Sequence, residues 1–214
     1  MIAGSLLDSL APESRQFVLQ RSTVRQLRAG DQLFHDGDEA DCMYLVERGR
    51  LAVETTTTDG DKAIVRVIGP DQVVGELALL VEGLRRTGTV VALEPSTLRV
   101  IGRSVFSDVR VRDPRIDRAL VSDLAARLVA LSGQFVLNQY GTLEQRVFER
   151  LLVLDEAYRN GWIRVTQEEL AAMSGASRQA VNRVLVEAAG EGLIALRRGA
   201  MRILDADAIA ARQG

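Results

Sequence analysis

The hydrophobic period of the chain changes once, near residue 103, and that change constrains the fold more than any other feature. From Thr23 to about Ile101, β-branched and aliphatic residues alternate with polar ones. Glycine or aspartate punctuates them at Gly30-Asp31, Asp36-Gly37-Asp38, Arg48-Gly49-Arg50, Asp59-Gly60-Asp61 and Gly69-Pro70-Asp71. Such spacing predicts short strands in a compact all-β sandwich or barrel-like roll, since no intervening stretch is long enough for a crossover helix. Asp59-Gly60, between Val53 and Ile64, is a hairpin turn signal. Ahead of the strands, Ala11 to Leu19 reads as a short amphipathic helix with Pro12 at an early helical position.

Beyond Arg103 the period becomes about three and a half. Val121, Leu124, Leu128, Leu131, Phe135 and Asn138 fall on one seam of a helix running from roughly Pro114 to Tyr140. A seam this narrow suits a paired helix, with Asn138 as a register-setting polar residue; the competing reading is that the same face packs on the β module. Gly141-Thr142 ends this helix and caps the next, about Leu143 to Tyr158.

Thr166-Gln167-Glu168-Glu169 fits a capping box, and Ser177 caps a second helix reaching about Ala189, with Ser174-Gly175 in the turn between. Helix-turn-helix packing needs a small residue at the crossing, a glycine in the turn and aliphatic residues behind the second helix. Ala171, Gly175, Val181 and Val184 stand at those offsets. Leu193 to Leu196 and Met201 to Leu204 flank Arg197-Arg198-Gly199 as a β-wing.

Composition sets the outer limits. With 214 residues, 47% hydrophobic and 26% charged, the chain is an ordinary globular protein of one large or two small domains. The longest uninterrupted apolar stretch, Leu77 to Val81, falls far short of the ~18 residues of a membrane span, and Met1 to Leu10 has no cationic start before an apolar run. The expected product stays in the cytoplasm. Cys42 is the only cysteine and His35 the only histidine, which leaves no four-residue zinc site, no disulfide within the chain and no nucleophile-base-orienter set. Metal and catalytic residues are accordingly expected to be none, with Cys42 a small core residue and His35 a surface group.

Net charge is −2, so the whole molecule does not advertise a polyanionic partner. The segment from Ala176 to Leu204 does: five arginines against two acids give it a local charge of plus three. A recognition helix offers its N-terminal residues to the major groove, where arginine matches guanine O6 and N7. Arg178, Gln179, Asn182 and Arg183 border one surface of the second helix, while Thr166 and Ser177, at helix starts, suit phosphate contact. The alternative is a solvated, arginine-bearing surface helix.

In the β module, Gly75-Glu76-Leu77-Ala78-Leu79-Leu80 precedes Arg85-Arg86-Thr87. A glycine opening a short helical turn exposes backbone N–H groups, a carboxylate accepts from a sugar hydroxyl, and an arginine beside a hydroxyl clamps a phosphate. Taken alone, the turn is equally an ordinary amphipathic one and the arginines an ordinary solvated pair.

These motifs, with the seam helix and the run TQEELAAMSGASRQAVNRVL from Thr166 to Leu185, resemble the bacterial cyclic-AMP receptor protein and fumarate-nitrate regulator family over essentially the whole chain. The resemblance implies an α+β protein: a double-stranded β-helix of jelly-roll type, the cyclic-nucleotide-binding sensor, over 1–112, a dimerising helix over 113–140, and a winged helix-turn-helix over 141–214. It implies a homodimer that reads a palindromic operator under control of a cyclic nucleotide, cyclic AMP first, with double-stranded DNA and RNA polymerase as partners. Carried over residue by residue, Arg86 and Thr87 hold the cyclic phosphate, Glu76 the ribose 2′-hydroxyl, and Gly75 and Leu77 line the pocket. Arg127 matches a central-helix arginine close to that glutamate, and Ser132 a serine that reaches the purine.

Three departures qualify the resemblance. Where the family pattern has threonine-serine on the central helix, this chain has Leu131-Ser132, which removes one of two hydroxyls from the base edge and leaves the nucleotide open. Gln179 stands where the pattern has glutamate, and a neutral amide favours adenine over the cytosine N4 contact of a carboxylate. The stretch Asn160 to Val165 is short, and the family's polymerase-contacting loop is not carried over to it. Two other readings therefore stand: a regulator of the same fold that answers to another effector or none, and a nucleotide-sensing module acting on a protein partner. Lone Cys42 disfavours an iron-sulfur oxygen sensor, and the lack of histidine after Gly75 disfavours a haem sensor.

Overall fold

The computed structural model describes residues 6–56, 62–158 and 161–212. Contacts divide the chain into two compact units, Met1–Thr55 with Ile68–Ala130 and Thr56–Val67 with Leu131–Gly214.

The first unit opens with a single tight turn, Leu6–Ser9, and helix α1 (Pro12–Arg21), with Pro12 at its start where the missing N–H costs nothing. Strands β1 (Thr23–Leu27), β2 (Gln32–Phe34), β3 (Cys42–Arg48), β4 (Leu51–Thr56), β5 (Lys62–Ile68) and β6 (Val73–Val74) follow, β5 being assigned but for Ile68 to the other unit, then a four-residue helix α2 (Leu77–Leu80) and strands β7 (Thr89–Ala92) and β8 (Ser96–Gly102). One antiparallel sheet has the order β1-β8-β3-β6; in the other, β2, β7 and β4 lie side by side. The predicted hairpin turn at Asp59-Gly60 lies outside the described residues.

Alternation along β3 explains how the roll is built. Cys42, Tyr44 and Val46 face a core shared with Leu33, Leu51, Val90 and Leu98 of both sheets, the interior of the roll. Met43 and Leu45 face the opposite way, into a second cluster with Leu6, Leu7, Val18, Phe106, Val109, Ile116 and Leu120. Because side chains alternate along a strand, one apolar run serves both layers and is buried on both faces. The second layer is supplied by α1, by α3 (Arg103–Arg112) and by the start of α4 (Arg115–Tyr140). Asp113, at the corner between α3 and α4, accepts from Ala11 N at 2.8 Å and from Arg115 Nε at 2.8 Å. The Arg115 guanidinium, followed by the Ala11 N–H, holds its carboxyl well below the usual carboxylate range.

Helix α4 coincides with the predicted seam helix, but little of it is covered. Ile116 and Leu120 are buried, whereas Val121, Leu128, Leu131 and Phe135 are 66%, 65%, 55% and 64% exposed. Val129 and Val136 are exposed too, so the apolar surface is broader than one seam. By length and composition α4 would pass as a membrane span. Its central charges are nevertheless engaged: Arg127 pairs with Asp123 four residues back and with Glu76 of the roll.

In the second unit, α5 (Leu143–Ala157), α6 (Gln167–Ser174), α7 (Arg178–Gly190), strands β9 (Ile194–Arg197) and β10 (Ala200–Ile203), and α8 (Ala206–Ala211) surround Phe148, Leu151, Leu154, Leu170, Leu185 and Ile209. Both capping boxes close: Thr142 with Gln145, and Thr166 with Glu169. Gly175 ends α6 in the left-handed conformation, φ 61°, and Ser177 caps α7 by accepting from Ala180 N at 3.3 Å. Val181 is buried as expected and Val184, three residues on, is half-buried at the edge of the same face, whose centre continues through Leu185 and Ala188.

Candidate anion site and nucleic-acid interface

Arg86 enters the roll from the loop before β7. That loop is zipped to Asp36-Gly37-Asp38: Arg86 N donates to Asp38 O at 3.0 Å, Gly37 N to Arg86 O at 2.9 Å, and Asp36 N to Thr89 Oγ1 at 3.2 Å. The Arg86 guanidinium is turned inward, with the residue 4% exposed. Nη1 donates to Gly75 O at 3.0 Å and Nη2 to Cys42 O at 2.8 Å, while Nε has no partner among the described residues. Gly75 is required twice over: its φ is +81°, and a Cβ there would stand 2.2 Å from Arg86 Nη1.

Next to Gly75, Glu76 is 2% exposed and accepts from Arg127 Nη1 at 2.5 Å; Arg127 Nη2 also reaches Val73 O at 3.3 Å. A buried cation with an unused donor thus lies beside a buried carboxylate whose partner is itself on α4. Such an unsatisfied buried charged donor is costly, and an anionic acceptor relieves the cost. Burial also pushes the Cys42 thiol up and the Tyr44 phenol up to about 12, so neither of these neighbours supplies a negative charge to the cation.

The structure brings four predicted residues together: Gly75, Glu76, Arg86 and Arg127. Thr87 is exposed beside Arg86, and Leu77 is half-buried at the first turn of α2. Leu131 and Ser132 are exposed on α4 and belong to the second contact unit. Cys42 is buried in β3 and His35 is exposed.

In the second unit, Arg178, Gln179 and Asn182 border one depression together with Gln167. A neighbouring cleft of about 410 Å³ runs between the start of α6 and the wing, lined among others by Thr166, Gln167, Arg178, Arg197 and Arg198. Arg183 is exposed farther along α7, and Ser177 is exposed at its start. Among the described residues Arg178, Arg183, Arg197, Arg198 and Arg202 are all exposed and none forms an ion pair, whereas Arg212 of the same unit is paired with Glu144 and Glu191. Unpaired guanidinium groups concentrated along one helix and its wing make an electrostatic footprint for a polyanion.

Comparison with known proteins agrees with this geometry. The cyclic nucleotide-binding domain model matches residues 24–113, and the Crp-like helix-turn-helix domain model matches residues 145–212. The chain is 30% identical over 206 residues to the cyclic AMP receptor protein of Thermus thermophilus, covering 96% of this chain and 95% of that protein. The chain belongs to the cyclic-AMP receptor/fumarate-nitrate regulator family. Two solved structures share the fold: FixK2 from Bradyrhizobium japonicum, with TM-score 0.78 at 18% identity over 90% of this chain and 98% of that one, and the c-di-GMP responsive regulator CLP from Xanthomonas campestris, with TM-score 0.75 at 22% identity over 90% and 99%. As a member of the family, the protein is a DNA-binding transcription regulator with a cyclic nucleotide-binding domain.

Sequence reasoning missed several residues around the two sites of this regulator. Phe34 and Tyr44 pack against Arg86, and Gln167 lines both depressions near the α7 start. Trp162 lies under the wing, with the Arg197 guanidinium 4.0 Å and that of Arg202 5.4 Å from its ring, while Ile163 forms a bridge to Met201. Trp162 is separated from the wing by α6 and α7, so its contact with the wing arginines had no local signal in the sequence. The other contacts join residues far apart in sequence and left none.

Proposed function

We propose that this chain is a homodimeric, cytoplasmic transcription regulator that binds a palindromic operator under control of a cyclic nucleotide, cyclic AMP first. The observation that carries the effector half is the buried guanidinium of Arg86, each of whose Nη atoms donates to one backbone carbonyl while Nε has no partner among the described residues. A cyclic phosphate supplies the acceptor, with the Thr87 hydroxyl beside it. Glu76 accepts from the ribose 2′-hydroxyl, and Gly75 and Leu77 border the sugar. Since Glu76 already holds Arg127, a hydroxyl arriving at that carboxylate alters the grip on α4, and the purine edge is left to Leu131 and Ser132. Differential binding then shifts the two readers toward the spacing of successive major grooves, about 34 Å.

In each reader, Arg178, Gln179, Asn182 and Arg183 meet base edges, and Thr166 and Ser177 meet phosphates. The exposed apolar face of α4 is the dimer contact, in keeping with a family whose members are typically dimeric. RNA polymerase is the expected partner once the operator is occupied. Leu131 favours a second reading, an effector other than cyclic AMP. It offers the base edge no hydroxyl, and the structural neighbour CLP is described as c-di-GMP responsive.

Calorimetry separates these readings. Protein freed of copurified nucleotide is titrated with cyclic AMP, cyclic GMP and c-di-GMP, and with operator DNA in the presence and absence of each. The expected result is cyclic AMP binding that Arg86→Ala abolishes, together with tighter operator binding in the liganded state. Heat from c-di-GMP alone supports the second reading. No heat with any of the three, with apo protein binding operator as tightly as before, removes the nucleotide from the function.

A further inference from the structure

The Arg86 guanidinium does not keep its orientation through the two carbonyl bonds alone. Its central carbon lies 4.3 Å over the Phe34 ring and 5.6 Å from the Tyr44 ring, and the two rings are stacked with centroids 5.9 Å apart at 28°. A cation on an aromatic face is held by the ring quadrupole, most strongly where water is excluded, and Arg86 is 4% exposed. Phe34 reaches this position through an irregularity in its strand: Gln32 pairs with Val91 but Phe34 with Val90, so the register shifts between them. In a regular strand Leu33 and Phe34 would face opposite ways. With the shift, both pack against the roll interior. An edge-strand bulge that re-aims one aromatic onto a buried cation is a feature that packing alone does not demand.

We infer that Phe34 is a positioning residue for anion recognition: its ring fixes the plane of the Arg86 guanidinium so that each Nη donates to one carbonyl, of Gly75 or Cys42, and the unpartnered Nε–H is held for the ligand. This deepens the reading of Arg86 as the phosphate contact and rests on it. Phe34 touches no ligand atom in this account; it acts through Arg86. The chemistry it serves is an anionic oxygen acceptor on a desolvated guanidinium, which a cyclic phosphodiester supplies.

The test uses the full chain in two measurements. In the ligand-free protein, the arginine Nε–H resonances are recorded by nitrogen-15 NMR and that of Arg86 is assigned through Arg86→Lys. Phe34→Leu, which keeps an apolar side chain but has no ring, is expected to move this resonance and to speed its exchange with water about tenfold. Phe34→Tyr is expected to restore both. In parallel, inorganic phosphate at constant ionic strength and cyclic AMP are titrated: Phe34→Leu weakens both by about fivefold, Phe34→Tyr does not, and the melting temperature of the two variants agrees. An unchanged resonance and unchanged affinities in Phe34→Leu overturn the inference while leaving the Arg86 site intact. A wild-type protein whose Arg86 resonance responds to phosphate but to no cyclic nucleotide overturns the effector reading and leaves Phe34 in its role. No response to either anion overturns both.

Discussion

Asp155, on α5 of the DNA-binding unit, is 9% exposed and its Oδ1 has no partner among the described residues. Burial pushes its carboxyl above the ordinary range. The sign of the consequence follows from linkage. In the unfolded chain the group ionises near pH ~3.9. In the fold it ionises later, so the charged form is the penalised one, and stability is lost as pH rises through the interval between the two values. Asp155→Asn is therefore expected to be more stable than the parent at pH 7.5, with the gain shrinking as pH falls toward 4. Urea unfolding at the two pH values measures it; a gain that grows on acidification contradicts the account. Arg86 is the contrasting case, a buried group with an unpartnered Nε at a site where, in the proposed function, a ligand supplies the partner.

At the scale of elements, the wing is a two-residue hairpin, Arg198-Gly199, between paired Arg197 and Ala200, with Gly199 at φ 70°. Arg197 is stacked on Trp162, which leaves Arg198 at the apex as the arginine best able to reach a DNA phosphate. Arg178, at the start of α7, is the one that the proposed function assigns to a base edge. The two should fail differently. Arg198→Ala is expected to weaken operator and random DNA alike and to lower the slope of log K against log salt by about 0.9, the release of one phosphate's counterions. Arg178→Ala is expected to cost about 1–3 kcal/mol on operator and much less on random DNA, measured by fluorescence anisotropy over a salt series. A specificity loss in the wing variant would reverse these assignments.

For the whole molecule, the decisive element is α4, which carries Val121, Leu128, Leu131 and Phe135 on its surface and ties back to the roll through Arg127 and Glu76. An apolar face of this extent is covered in a stable soluble protein. The reading that a second copy covers it predicts that Leu128→Glu with Phe135→Glu yields a monomer in sedimentation equilibrium. That monomer should lose ~100-fold or more in operator affinity, since binding two linked half-sites gains 10²–10⁴ over one. It should keep its nucleotide heat if the roll alone suffices. A double variant that remains dimeric would place the contact elsewhere.

What could be read from the residues was what the backbone decides locally. The change of period, the Thr166 and Ser177 caps, the αL turn at Gly175 and the wing around Gly199 each depend on neighbours within a turn of helix or a hairpin, so spacing and residue type were enough. Val181 and Val184 were legible as the inner side of α7, but not that Leu185 and Ala188 lie deeper in it, since depth depends on the elements packed against the helix. Arg86 could be singled out, but not the fact that its guanidinium is buried, because Cys42, Gly75 and Phe34 reach it from separate strands and loops. The sequence by itself determined the order of β-roll, long helix and winged helix-turn-helix, since alternation and helical period are properties of the chain. Only the tertiary structure decided that the Arg86 cation is desolvated, stacked and left with an unpartnered Nε, because desolvation and partner geometry arise from residues that sequence keeps apart.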